Sequence, residues 1–282
     1  MIPPDRTSLV DIHNHLVPGV DDGARDVQAV LDAVERLKRC GIRRIVTTPH
    51  LRGSLTHDPS GLAERLGAVD EAFAAAAAAL RERFPDFEYR RGHEVMVDVP
   101  EVDFSDPRLR MAGTSFVLVE WPHLHVPPGT PRVLQWIRDQ GYIPVVAHPE
   151  RYAGLGENGA MLRHWREAGA FLQVNYGSLV GRYGSAVQTV AVEIVEAGLA
   201  DYLASDFHAH GSLKIYKDEA WTALAGRAPD DLLETLCRAN PGRLMEGLEP
   251  LPVLPLHPVP GIIDRIRGAM RRGDRAPQGT SG

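Results

Sequence analysis

The chain has 282 residues, 44% of them hydrophobic and 24% charged, the balance of a soluble globular protein. No apolar run reaches the roughly 18 residues that a transmembrane helix needs, and residues 1–8 lack the apolar segment of a secretory signal. The net charge of −6 argues against a bulk nucleic-acid binder, and two cysteines, Cys40 and Cys237, build no disulfide framework and point to a reducing, cytoplasmic compartment.

Short apolar runs alternate with helical patterns for most of the length. Leu9–Ile12 reads as the first strand. Asp26 opens a helix with apolar residues at Val27, Val30, Leu31, Val34 and Leu37, which is helical spacing, and Gly41 is a natural stop. A strand-like run, Ile42–Thr48, follows. An alanine-rich helix covers Pro59–Phe84, where good helix propensity accounts for the alanines. Further strands are expected at Phe87–Arg90, Phe116–Val119, Ile143–Ala147, Phe171–Val174 and Asp201–Ala204. Helices are expected at Pro131–Gln140, Ala160–Ala168, Ser185–Ala197 and Asp230–Ala239, the last stopping at Asn240-Pro241. Seven strands alternating with helices argue for a parallel sheet, either a barrel of the triosephosphate-isomerase type, complete or not, or a doubly wound open sheet. No Gly-x-Gly-x-x-Gly follows the first strand, so a dinucleotide site is not supported. Five prolines from Pro250 to Pro260 read as an extended linker. A basic tail follows, read as frayed, with Ile262–Arg272 as a candidate amphipathic element. The expected division is a barrel over residues 1–249 and a linker with its tail over 250–282.

Six of the seven strands deliver a His, Asp or Glu at the C-terminal edge, where parallel barrels build their sites. These are His13 and His15 after strand one, His50 after two, Glu94 after three, Glu120 after four, His148 after five, and Asp206 and His208 after seven; strand six, ending at Asn175, brings none. His-x-His on an extended segment points both imidazoles to one side. Imidazole with carboxylate suits Zn, Mn or Fe, whereas thiolate sites use Cys. A catalytic ion takes three or four protein ligands, so a cluster of this size fits two or three metals. His57, His123, His125, His164, His210 and His257 lie off the pattern, and His93 should point away from its neighbour Glu94.

These residues resemble a known family. Asp11-Ile12-His13-Asn14-His15, followed by Pro18-Gly19-Val20-Asp21-Asp22-Gly23-Ala24, is similar to the polymerase-and-histidinol-phosphatase superfamily. More narrowly, it resembles the bacterial metal-dependent protein-tyrosine phosphatases of capsule and exopolysaccharide loci, the CpsB/CapC type. Thr47-Thr48-Pro49-His50, Gly92-His93-Glu94, Val119-Glu120-Trp121-Pro122, Ala147-His148-Pro149-Glu150-Arg151 and Ala204-Ser205-Asp206-Phe207-His208 continue the match across about residues 8–245. The resemblance implies a distorted (β/α)7 barrel and two or three divalent metals, most often Mn²⁺, with Fe or Zn as alternatives. His13, His15, Glu94 and Asp206 would hold the first. Glu94, Glu120 and His148 would hold the second, with Glu94 bridging, and Asp22, His50 and His208 the third. Arg151 would grip phosphate, a metal-bridging hydroxide would attack it, and Asp206 or His208 would assist the leaving group. The implied substrate is a phosphotyrosine protein, such as the tail of a bacterial tyrosine kinase. A second Arg usual after the Asp-x-His pair is missing, and His210 or Lys214 is its candidate substitute.

Rival readings rest on other residues. Cys237 to Arg243 matches the Cys-x5-Arg of cysteine phosphatases, but Cys237 falls late in an expected helix rather than at the mouth of a phosphate loop. A metal-dependent amidohydrolase also opens with His-x-His and often bridges its metals with a carboxylated lysine, yet Lys38, Lys214 and Lys217 end no expected strand. Histidinol-phosphate or nucleotide phosphatase, a nuclease disfavoured by the acidic balance, and a non-catalytic metal scaffold complete the alternatives.

Overall fold

The computed structural model describes residues 8–155, 159–209, 214–225 and 227–256. The basic tail with Ile262–Arg272, and His210, lie outside the described residues.

Seven staves form one parallel ring. β1 (Leu9–Asp11) pairs with β2 (Ile42–Thr47), and β2 with β4 (Glu88–Arg91). β3 (His50–Arg52) pairs with β5 (Glu94–Met96), and pairing then runs through β6 (Phe116–Glu120), β7 (Ile143–Ala147), β8 (Phe171–Asn175) and β9 (Tyr202–Ala204). β2 and β3 are two halves of stave two, and β4 and β5 two halves of stave three. Thr47 stands opposite Arg91 and His50 opposite Glu94, so the register carries across both breaks. Past the strand ends the first and last staves still bond: Asp206 N donates to His13 O at 2.8 Å and His15 N to Phe207 O at 2.9 Å. Those bonds close the ring. The fold is thus the expected distorted α/β barrel and not the doubly wound sheet.

Two expected strands, Ile42–Thr48 and Phe87–Arg90, are present as β2 and β4, but each stave resumes after a break as a second short strand, β3 or β5, for a reason that periodicity does not carry. Pro49 has no N–H for a ladder, and Gly92 lies where a Cβ would sit 2.9 Å from Met111 Cα. Each break turns the next residues, His50 and Glu94, into the cluster.

Helices α1 (Val27–Arg39), α2 (Pro59–Arg83), α3 (Thr130–Asp139), α4 (Ala160–Glu167), α5 (Tyr176–Leu179) and α6 (Ser185–Glu196) belong to the crossovers, and α7 (Lys217–Leu224) follows the last strand. Asp26 caps α1 by accepting from Ala29 N at 2.8 Å, as its position before the apolar stripe requires. Side chains alternate along the staves: Phe116 and Leu118 join an inner cluster with Val10, Val145 and Tyr202, while Val117 and Val119 face the helices. Glu120 continues the inward parity of Phe116 and Leu118.

The helix expected to stop at Asn240-Pro241 goes on. α8 (Asp230–Glu234) passes through a wider π turn, Thr235–Ala239, into α9 (Asn240–Met245). Pro241 lies in the first turn of α9, where its missing N–H is tolerated. Leu244 and Met245 of α9 pack into the inner cluster. Residues 250–256 stay on this body: the Asn240 side chain bonds Leu251 N at 2.7 Å, and Leu256 N donates to Glu196 O at 2.9 Å.

Ring closure depends on a buried carboxylate. Asp11 accepts from Ser205 N at 2.9 Å and from Ser205 Oγ at 2.6 Å. Burial pushes the Asp11 carboxyl up from its ordinary value, and the Ser205 bonds oppose that rise. Ser205→Ala removes one charge-assisted donor and is expected to cost about 1.5–3 kcal/mol. Urea unfolding should show a lower midpoint at unchanged slope.

Candidate metal centre

Glu94 sits at the meeting point of four staves, its side chain 1% exposed. Its Oε2 lies 3.2 Å from His13 Nε2, 3.3 Å from His15 Nε2 and 3.2 Å from His50 Nδ1. Its Oε1 lies 2.9 Å from His148 Nε2. Asp206 Oδ1 stands 3.6 Å from both His13 Nε2 and His15 Nε2, and Glu120 Oε1 3.3 Å from His50 Nδ1. Farther out, Asp22 Oδ1 is 3.5 Å from His50 Nε2 and from His208 Nε2.

All nine residues expected from the sequence therefore meet at one edge. Their donor atoms form three overlapping groups, each within 4.8 Å: His13, His15 and Glu94; His50, Glu94 and Glu120; and His15, Asp22, His50 and His208. His50 thus also joins the group expected to contain Glu94 and Glu120, while His148 stands on the other oxygen of Glu94.

A second layer, missed by strand-end reasoning, aims the rings. His15 Nδ1–H donates to Asp21 Oδ2 at 2.8 Å, which presents Nε2 to the cluster. Asp21 also accepts from Gly23 N at 3.0 Å and His50 N at 3.1 Å. The turn needs glycine, because a Cβ on Gly23 would sit 2.0 Å from His15 O. His13 Nδ1–H donates to Gln173 Oε1 at 2.7 Å, Gln173 to Asn175 Oδ1 at 2.8 Å, and Asn175 to Asp206 Oδ2 at 2.8 Å. Stave six, the one with no ligand, is the one that orients its neighbours' ligands. Its signal was present as inward parity: Gln173 and Asn175 share the face of Phe171. Partners of this kind fix the tautomer and raise the basicity of the ring.

His148 and Asp206 hold positive φ, 34° and 49°, a conformation that costs non-glycine residues about 1–3 kcal/mol. Such strain concentrates at functional sites. Burial alone would lower the His13 imidazole, but the Glu94 and Asp206 carboxylates outweigh it and hold its pKa near 9. Glu94, whose burial would raise it, is held well below the carboxylate range by His13 and its neighbours. His93 faces away, its Nδ1 on Arg108 O at 3.0 Å, and burial lowers its pKa to about 4.

The buried donor set fits divalent cations. Glu94 Oε2, Glu120 Oε1, His50 Nδ1 and His148 Nδ1 are sealed from water and make no hydrogen bond among the described residues. Orphaned lone pairs are costly when buried, and a cation satisfies several at once. Imidazole with carboxylate is the donor mix of Zn, Mn or Fe sites.

Arg151 borders the cluster: its guanidinium donates to Asp206 Oδ2 at 2.9 Å and lies 4.4 Å over the Tyr183 ring. Glu150 does not pair with it but turns inward to Asn175 N at 2.9 Å. Lys214 pairs with Glu219 at 3.4 Å. Lys38 pairs with Asp86 and Lys217 with Asp218, so no lysine joins the cluster, against the amidohydrolase reading. Cys237 is buried in the π turn, where desolvation pushes its thiol up to about 11. A nucleophilic cysteine needs the opposite shift.

A parallel barrel with imidazoles and carboxylates gathered at its C-terminal edge is the architecture of a metal-binding barrel protein. The family described as "Capsular polysaccharide synthesis, CpsB/CapC" matches residues 9–246. Tyrosine-protein phosphatase YwqE of Bacillus subtilis (strain 168) is 32% identical over 213 residues, covering 75% of this chain and 82% of that protein. The putative tyrosine-protein phosphatase CapC of Staphylococcus aureus is 25% identical over 201 residues, covering 71% and 77%. A chain from the crystal structures of YwqE from B. subtilis and CpsB from Streptococcus pneumoniae, described as unique metal-dependent tyrosine phosphatases, superposes with TM-score 0.71. It is 28% identical, and the match covers 88% of this chain and all of that one. An amidohydrolase from Mycoplasma synoviae, at TM-score 0.51 and 12% identity, shares the fold alone. The chain belongs to the CpsB/CapC family.

The orienting layer yields a test independent of turnover. Asp21→Ala leaves His15 without its partner and is expected to weaken metal binding about 10–100-fold. Competition against a chromogenic chelator measures the loss; unchanged affinity removes Asp21 from the centre.

Proposed function

We propose that this chain is a metal-dependent protein-tyrosine phosphatase of capsule or exopolysaccharide synthesis, working in the cytoplasm on phosphotyrosine in the tail of a bacterial tyrosine kinase. The observation that carries the reading is the gathering of nine donor residues, Glu94 at their centre, on one barrel edge with a guanidinium, Arg151, at their border. His13, His15, Glu94 and Asp206 would hold one cation, Glu94, Glu120 and His148 a second, and Asp22, His50 and His208 a third, with manganese as the proposed metal. Bound there, the cations would neutralise phosphate charge and lower the pKa of water toward 7, which supplies a nucleophile at neutral pH.

The remaining work falls to the protein. Arg151 offers phosphate a planar fork of donors, and Asp206 and the Tyr183 ring hold that fork in place. Asp206 spends Oδ2 on Arg151 and Asn175 and turns Oδ1 to the imidazoles; despite its burial, His13 and His148 hold its carboxyl below its ordinary value. It therefore serves as an anionic ligand and anchor rather than as an acid. His208 remains the candidate to assist the leaving group, and a phenolate leaves without strong protonation, so an aryl ester asks little of it.

Protein stripped by chelator should lose turnover of phosphotyrosine peptide and regain it on addition of Mn²⁺. Full activity in protein shown metal-free by elemental analysis would overturn the reading.

Arg151→Ala is expected to raise KM and lower kcat, with kcat/KM falling about 10²-fold, the size typical for loss of one donor to developing charge. Arg151→Lys should recover part of this, since a point charge reproduces attraction but not the fork. Metal content should stay at the wild-type level in both.

A further inference from the structure

We infer that the cavity opening beside His50 and Glu120 is the subsite for the aromatic ring of the phosphorylated residue, an inference that rests on the phosphatase reading above. The cavity has a volume of about 630 Å³, within the roughly 300–1,000 Å³ range of ligand pockets. Besides His50 and Glu120, its lining has three apolar residues, Leu51, Leu55 and Met96, and four polar ones, among them Arg52 and Asp58.

Access decides which side of the cluster a substrate enters. His13 and Glu94 are sealed, at 0% and 1% side-chain exposure, whereas His50 is 36% exposed. The cluster therefore opens outward beside His50, at stave two, and beside Asp22, 67% exposed in the loop after stave one. The wall beyond is apolar in three places, and water gains little from such a surface while an aromatic ring gains much.

Ring order sets the direction. The cavity belongs to staves two, three and four, through Leu51, Met96 and Glu120. Arg151 and its anchor Asp206 follow staves five and seven, across the barrel. A phosphate held over the cluster and reached by Arg151 thus directs its ester oxygen toward Leu55 and Met96. The site selects an ester with an ionic head and a flat apolar leaving group, and selects against aliphatic phosphates that would leave this wall wet.

The test reads binding rather than turnover. Manganese-loaded protein is titrated calorimetrically with a peptide carrying phosphonomethyl-phenylalanine, which cannot be hydrolysed, and separately with inorganic phosphate. Two variants are compared with wild type: Leu55→Ala with Met96→Ala, which strips the wall, and Leu55→Trp, which narrows the cavity and removes no apolar contact. Both should weaken the peptide about tenfold or more, the scale of lost apolar contact in a pocket, and leave inorganic phosphate unchanged. Circular dichroism checks folding; if the double variant unfolds, Leu55→Trp decides. Peptide binding at the wild-type level, or equal weakening of peptide and phosphate, overturns the subsite. The phosphatase reading fails separately, if wild type does not turn over phosphotyrosine peptide at all.

Discussion

One buried carboxylate constrains the whole upper half of this molecule. Glu94 draws imidazoles from staves one, two and five to within 3.3 Å of its two oxygens. A charge with so little water around it is stable only if every neighbour is placed to compensate it. The broken staves and the polar residues of stave six follow from that requirement. So does the glycine turn at Gly23, which lets Asp21 approach His15 closely enough to hold it.

The same constraint accounts for where strain is stored. His148 and Asp206 take left-handed backbone conformations, and each lies just past the end of a stave. Surrounding bonds over-determine both. Pro149 follows His148 with a fixed φ, and Asp206 is gripped by Asn175, by Arg151 and through its own N–H by His13 O. The stability of the barrel below, with its alternating apolar staves and the Leu244 and Met245 side chains from α9, offsets the cost of bending the edge above. Stability and chemistry are divided along the barrel axis: apolar layers lie below and donor atoms above, with Asp11 and Ser205 tying the last stave to the first between them.

Much of this was legible in the sequence. Alternating apolar runs and helical stripes are local, and they marked seven staves in order because burial imposes period two on a strand and 3.6 on a helix. His-x-His, Thr-Thr-Pro-His and His-Pro-Glu-Arg are local too, and position at strand ends put eight of the nine donors on one edge; Asp22, in a loop, was legible only through the family resemblance. Asp26 and Gly41 bounded α1 as their capping chemistry requires.

What the sequence by itself determined, then, was the parallel α/β order and the identity of the donors. Tertiary structure alone decided the rest. Pro49 and Gly92 break two staves without breaking register, which depends on contacts to Met111 and to neighbouring strands far along the chain. Asn240-Pro241 reads as a stop, yet a π turn carries the helix through it because Leu244 and Met245 are wanted in the barrel. Gln173 and Asn175 read as ordinary polar residues of a strand without a ligand. Only the closed ring brings them against His13 and Asp206, because a hydrogen bond between residues 160 positions apart leaves no trace in local spacing.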